Sequence, residues 1–294
     1  MIYVRTPIFY TSLLIVFVIF SIKELTTTKK LTNYTKWNNC IQDGIGLWKN
    51  STDFSYHISN LTESCKVHLN LNIVELNNSK FHAFPVLESS TMPVHLTVGV
   101  SENIEGEAEL KTKAPETLIF GTSPRPGIEK ELFRKIGAQY PVAIGMDSGI
   151  VNMTIELFQN STENYNETSI ENASESLIQL DIIYFLKSVL KRNFYSSIWF
   201  NTSFNDLPNL LLSNGAFEKN GITVCQINFQ KSNVDFDFQI DEMETAKHIL
   251  MDTVYDKRYA VLIDQTGDHI NMFFVNFDNI KCKRELGIDT DQLS

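Results

Sequence analysis

Cysteine, histidine and paired carboxylates are the side chains most able to carry chemistry, and this chain spaces them widely. Its four cysteines are Cys40, Cys65, Cys225 and Cys282. An even number at long spacing suits two disulfides in an oxidising compartment, with four buried thiols as the alternative. No Cys-x-x-Cys pair is present, which argues against a redox dithiol and a zinc ribbon. The histidines, His57, His68, His82, His95, His248 and His269, form no zinc-ligand spacing and no His-Glu-x-x-His, so no metal site is expected. His95 alternates with Val94 and Leu96 and reads as a structural strand residue. Neither a Gly-x-Ser-x-Gly elbow nor a Walker A loop occurs. Asp235-Phe236-Asp237 matches a nucleotide-sugar triplet, but alternation explains it better: the acids face solvent while Phe236 and Phe238 face inward.

A second set of residues carries modification chemistry. Asn-x-Ser/Thr sequons stand at Asn33, Asn50, Asn60, Asn77, Asn152, Asn160, Asn166, Asn172 and Asn201, a modest excess over chance. Asn160, Asn166 and Asn172 fall in an acidic, polar segment where a sugar meets no packing, and they are the expected glycan sites.

The elements that position these residues come from a chain of 294 residues, 43% hydrophobic. That is enough for one large domain or two small ones with a true core. Its net charge of -10 makes it a poor partner for nucleic acid. Pro7 to Ile22 is apolar and uncharged, so residues 1–22 read as an N-terminal transmembrane signal anchor, with a cleaved signal peptide as the rival. Arg5 precedes the segment, and Lys23, Lys29 and Lys30 follow it. Those charges alone favour a cytoplasmic C-terminal part. The sequons and cysteines favour a lumenal one, which is the orientation chosen.

Residues 23–36 read as a stalk. Residues 37–91 read as a small, partly helical subdomain closed by a disulfide, plus a polar connection. A larger domain over 92–285 and a tail over 286–294 follow. In the larger domain, apolar runs at 94–100, 117–122, 140–145, 152–158, 198–200, 221–229, 259–263 and 270–277 read as strands. Helices are expected at 102–113, 127–136, 177–190, 207–212 and 243–256, and a solvated loop over 160–176. Strands alternating with helices imply βαβ units and a mainly parallel sheet. The last two strands, joined by a short turn, must be antiparallel. That outline is α/β; it is the outline of the Rossmann-like class I methyltransferase fold, and other doubly wound proteins share it.

Several segments then carry a resemblance. FGTSPRPGIEKELFRKIGAQYPVAIGMDSGIVN from Phe120, LDIIYFLKSVLKRNFYSSIWFN from Leu180 and GAFEKNGITVCQINFQ from Gly215 resemble the FkbM-type methyltransferase domain, in its membrane-anchored version abundant in nematodes. DGIGLWKNSTDF from Asp43 resembles the N-terminal part of the same proteins. The resemblance implies S-adenosylmethionine as cofactor, usually for O-methyl transfer. It places Gly99 and Ser101 in the loop after the first strand, where glycines let the backbone approach the cofactor. It places Ser123 where a carboxylate would grip the ribose hydroxyls. After the fourth strand it puts Asn201 and Ser203 in acidic places, with Asp206 the nearest surviving carboxylate. An asparagine cannot take a proton from a substrate hydroxyl at neutral pH. Val100 and Glu102 crowd the glycine loop.

In the implied fold the strand at 221–229 neighbours the final strand, so Cys225 pairs with Cys282, and Cys40 with Cys65. The expected function is an FkbM-like, S-adenosylmethionine-dependent O-methyltransferase of the secretory pathway with an altered site. The competing reading is a noncatalytic, glycosylated binding module that keeps the fold.

Overall fold

A computed structural model describes residues 32–47, 52–84, 92–101, 103–124, 129–158, 170–201, 207–232, 239–266 and 269–288. Asn33–Ser294 forms one compact unit. It opens with helices α1 (Asn33–Leu47) and α2 (Thr52–Lys66), then a hairpin of β1 (Ile73–Leu76) and β2 (Lys80–Ala83). The α/β part runs β3 (Val94–Val98), α3 (Glu105–Lys113), β4 (Leu118–Thr122), α4 (Glu129–Phe133) and β5 (Ala138–Tyr140). An arm follows: β6 (Ala143–Gly145), β7 (Gly149–Phe158) and β8 (Ile170–Asp181). After α5 (Ile182–Tyr184) come β9 (Phe194–Phe200), α6 (Leu207–Leu211), α7 (Ala216–Lys219) and β10 (Thr223–Ser232). The chain ends with α8 (Gln239–Asp256), β11 (Tyr259–Thr266), β12 (His269–Asn276) and α9 (Ile280–Leu286).

The main sheet has seven strands in the order β11-β12-β10-β9-β3-β4-β5. Strands β10, β9, β3, β4 and β5 are parallel. Strand β12 runs antiparallel to both β10 and β11. Counted along the chain within this sheet, the order is 3-2-1-4-5-7-6 with the seventh strand reversed. This is the Rossmann-like methyltransferase fold. Its sheet reverses direction of growth between β3 and β9, the switch point where α/β sheets bind ligands.

One face of the sheet is apolar. Leu96, Val98, Ile198, Phe200, Ile227 and Phe274 are buried in the same core as Trp37, Ile41 and Ile58 of the N-terminal helices. Helix α2 also closes the sheet's β11 edge. The Thr62 hydroxyl donates to the Ile263 carbonyl at 3.2 Å and accepts from the Ile263 N–H at 3.0 Å. The backbone of Ile263, in the middle of an otherwise open strand edge, is thereby satisfied.

The opposite face is polar and equally buried. His95 lies beside Ser197, and Thr97 beside Trp199, across β3 and β9. Ser197 and Trp199 in turn lie beside Gln226 and Asn228 of β10. Hairpin β1–β2 lies over this face. Asn228 accepts from the Phe81 N–H at 2.9 Å and donates to its carbonyl at 2.7 Å. Gln226 does the same for Ala83, at 2.7 and 2.9 Å. Two side-chain amides thus replace a neighbouring strand and satisfy the backbone of β2, which burial would otherwise leave unpaired.

Several expectations need correction. The run 140–145 is two strands: Val142 donates back to the Tyr140 carbonyl at 2.9 Å, and Pro141 between them has no N–H for a ladder. Ala138–Tyr140 enters the main sheet, whereas Ala143–Gly145 pairs with β8 in a separate three-stranded sheet. The strand expected at 152–158 also belongs to that sheet. The solvated loop expected over 160–176 is strand from Ile170 onward; 159–169 lies outside the described residues. The helix expected at 177–190 starts only after Asp181, whose carboxylate caps it by accepting from the Tyr184 N–H at 2.7 Å. Its first part, Leu177–Asp181, is held as strand by pairing with both β6 and β7. Phe185–Val189 completes the helix as a π turn. The connection around Phe81 is the β1–β2 hairpin. Helix α1 begins at Asn33, inside the stretch read as stalk. The proposed anchor at 1–22 and the Asp235–Asp237 triplet lie outside the described residues, among which no helix is long and apolar enough to cross a membrane.

Candidate functional site

Three neighbouring parallel strands, β4, β3 and β9, end together at the switch point. The chain leaves β3 through Gly99, whose φ of 81° is the left-handed conformation that glycine adopts without strain. The turn sends two N–H groups to one acceptor: Gly99 and Val100 both donate to the Thr122 carbonyl, at 3.0 and 2.8 Å. Ser123 follows β4 and is buried, its N–H on the Tyr140 carbonyl at 3.1 Å. Asn201 follows β9, its N–H on the Val98 carbonyl at 2.9 Å. The structure therefore brings Gly99, Ser123 and Asn201 to one end of the sheet. Ser101 is exposed and turned into its own loop, its hydroxyl donating to the Asn103 carbonyl at 3.0 Å. Asp206 lies outside the described residues, as do Glu102 and Arg125.

Two features of this end decide what it can bind. Val100 is buried with Ile119 and Phe133 in a small apolar cluster. A Cβ on Gly121 would stand 2.5 Å from Val100 and 2.6 Å from Phe133, so the side chains fill the space over β4. The second feature is the polar inventory. S-adenosylmethionine presents ribose hydroxyls that ask for a carboxylate and an amino-acid carboxylate that asks for N–H donors. The Gly99, Val100, Ser123 and Asn201 N–H groups are all committed to backbone carbonyls. No carboxylate stands at 99–101, 123 or 201. The Asn201 Oδ1 is a buried acceptor without a hydrogen bond. Among the described residues, this set does not fit S-adenosylmethionine.

A second polar cluster lies beneath, in the covered face. His95 Nδ1 is 2.7 Å from the Ser197 hydroxyl, and its Nε2 is 3.0 Å from the Thr97 hydroxyl. Thr97 donates to the Glu107 carboxylate at 2.9 Å. Lys80, from the hairpin, donates to Gln230 at 2.8 Å. Burial sets the protonation states. It holds the His82 imidazole down to about 4, and His95 well below its ordinary value with help from His82 and Lys80. It pushes the Glu107 carboxyl up, opposed by hydrogen bonds from its own backbone and Thr97 and by the Lys80 charge. It brings the Lys80 ammonium down to about 8, opposed by Glu107. A hydroxyl, an imidazole, a second hydroxyl and an acid in line resemble a nucleophile relay, although Thr97 stands between His95 and Glu107. Yet His95, Thr97, Ser197 and Glu107 are all buried, so the chain is a structural network.

The sequence identified His95 as structural, which agrees with its place here. It gave no warning of Lys80, Glu107, Gln226 and Asn228. The available signal was the alternation of Gln226, Asn228 and Gln230 along an otherwise apolar strand. Both expected disulfides are present, Cys40–Cys65 joining α1 to α2 and Cys225–Cys282 joining β10 to α9. Among the described residues no group of His, Cys, Asp and Glu could hold a metal ion. An apolar pocket lined by Leu207, Leu211, Ile249, Thr253 and Phe274 lies between α6 and α8, and it contains none of the expected site residues.

No protein-family model matches the chain. No curated protein matches it either. Among solved structures, the fibrillarin pre-rRNA processing protein of Methanococcus jannaschii is similar over 71% of this chain and 84% of its own, with 9% identity and a TM-score of 0.37. A likeness of that degree does not bear on function, and the fold is established by the strand order and the reversed strand.

Proposed function

We propose that this chain is an FkbM-like protein of the secretory pathway that keeps the methyltransferase fold with an impaired cofactor end, and acts as a noncatalytic, glycosylated binding module held at a membrane by its N-terminal segment. The observation that carries the reading is the polar inventory of the switch point. Gly99, Ser123 and Asn201 are gathered there, without a carboxylate and with their N–H groups already committed. The two disulfides support an oxidising compartment. The ordered segments quoted above support the family. The second reading is an active O-methyltransferase, favoured by the retained strand order and by the unpartnered Asn201 Oδ1.

Titration calorimetry of the purified protein with S-adenosylmethionine separates the two. No saturable heat is expected in the range where a working site binds. A Kd of about 10 μM or tighter, equivalent to about -7 kcal/mol, overturns the impaired-site reading and leaves the active enzyme.

A further inference from the structure

We propose that Asn152 is an N-glycosylation site whose sugar covers an apolar pair on the β7–β8 arm and shields the arm's open edge; the proposal rests on the secretory-pathway reading. Strands β7 and β8 pair antiparallel over their length. In the order β6-β8-β7, strand β7 has one neighbour, so among the described residues its outer side carries unpaired N–H and C=O groups. A long open edge is a template for pairing with another chain. The register sets Ile150 opposite Ile178, and these two isoleucines are 78% and 61% exposed. An exposed apolar pair beside an open edge favours pairing with a second chain, and a cover over it opposes that.

Two residues further along the same face, Asn152 stands opposite Ser176. Alternation puts Asn152 on the side of Ile150, about 7 Å along the strand. Asn152-Met153-Thr154 is a sequon. The Ser176 hydroxyl donates to the Asn152 Oδ1 at 2.8 Å in an exposed pair. That bond uses the carbonyl oxygen and leaves Nδ2, the atom to which a glycan is joined. The transfer takes its oligosaccharide from a lipid pyrophosphate donor. The Nδ2–C1 bond forms, the C1–O bond breaks, the lipid pyrophosphate leaves with the electron pair, and Nδ2 gives up one proton. Asn201 is the contrasting sequon. Its Oδ1 is buried at the strand ends.

The test uses the full chain expressed in a secretory host. Glycan removal by peptide N-glycosidase in heavy-oxygen water, followed by peptide mapping, converts each glycosylated asparagine to labelled aspartate. Label at residue 152 is expected. Thr154→Ala should abolish that label entirely while keeping the asparagine, and should raise both dye binding to apolar surface and self-association in sedimentation. Adding Ile150→Ser and Ile178→Ser to Thr154→Ala should return both readouts to those of the unaltered protein. Glycan at other sequons with residue 152 unlabelled overturns the proposal alone. No glycan at any sequon overturns it together with the secretory reading. Loss of the label with no change in self-association removes the shielding role.

Discussion

His82 and His95 are imidazoles kept neutral by burial between the β1–β2 hairpin and the sheet, and that choice ties stability to pH. His82 Nδ1 has no hydrogen-bond partner, and its ring packs edge-on against Phe84 at 4.8 Å. Its value in the folded state is about 4, below the ordinary 6.5. The unfolded chain therefore binds the extra proton first. The stability that follows from a neutral His82 is fully present above pH 6.5 and is lost as pH falls from 6.5 toward 4. Glu107 and Glu285, whose carboxyls burial pushes up, act in the opposite sense, their contribution being present at low pH and lost on raising it. A comparison of variants isolates the histidine. His82→Phe keeps the ring and removes the titration. The stability of the unaltered protein relative to His82→Phe should decline on acidification by up to about 1.4 kcal/mol per pH unit between 6 and 4.5. Urea denaturation at several pH values measures it. A pH-independent difference would show that His82 is accessible to protons in the folded state.

Elements in this fold are held by covalent ties as well as by packing. Cys225 lies on β10 and Cys282 on α9, with Cα atoms 5.1 Å apart and 57 residues of separation. Cys40 and Cys65 join the N-terminal helices across a separation of 25. In the chain-entropy picture the longer closure stabilises by about 4 kcal/mol and the shorter by about 3.5. Cys225→Ala with Cys282→Ala should cost more in urea denaturation than the corresponding Cys40 and Cys65 pair, and peptide maps without reductant should show no free thiol in the unaltered protein. The pairing was legible in the sequence because the implied fold already put β10 beside the last strand. Strands β3, β4, β9, β10, β11 and β12 were legible as apolar runs. The arm was not. Ile178, Ile182, Phe185, Leu186 and Val189 fit a helical stripe, and only the long-range pairing of Leu177–Asp181 makes the first part strand. The β1–β2 hairpin was hidden for a different reason. Lys80 and His82 look like a solvated strand face, whereas here both are buried, Lys80 reaches Gln230, and Asn228 and Gln226 hold the backbone at Phe81 and Ala83. The strand-end residues were found through the resemblance, while the buried network behind them broke the rule that polar positions face water.

At the scale of the whole molecule, the same sheet order that identifies a methyltransferase fold also specifies where a cofactor would lie, so fold and site can be weighed separately. Topology survives in full, from the 3-2-1-4-5-7-6 order to the reversed strand. On the function proposed above, the chemistry at its switch point does not, and the loss has two parts. One is the pair of side chains Ser123 and Asn201. A charge-assisted hydrogen bond is worth about 1.5–3 kcal/mol, so restoring one carboxylate in an otherwise open pocket should improve binding roughly ten- to a hundredfold. The other part belongs to the chain path. Gly99 and Val100 turn their N–H groups onto Thr122, and Val100 packs against Gly121 and Phe133. No substitution at 123 or 201 reverses that. Ser123→Asp, Asn201→Asp and the double variant should therefore each still give no saturable heat with S-adenosylmethionine in calorimetry, with circular dichroism confirming that each folds. The half-buried position 201 tolerates a carboxylate better than the buried 123, so Asn201→Asp keeps the test decisive if Ser123→Asp unfolds. Saturable binding at about 10 μM or tighter by the double variant would instead locate the whole deficit in two side chains. The loop after β3 would then be able to open around the cofactor, and the impairment would lie in those side chains and not in the chain path.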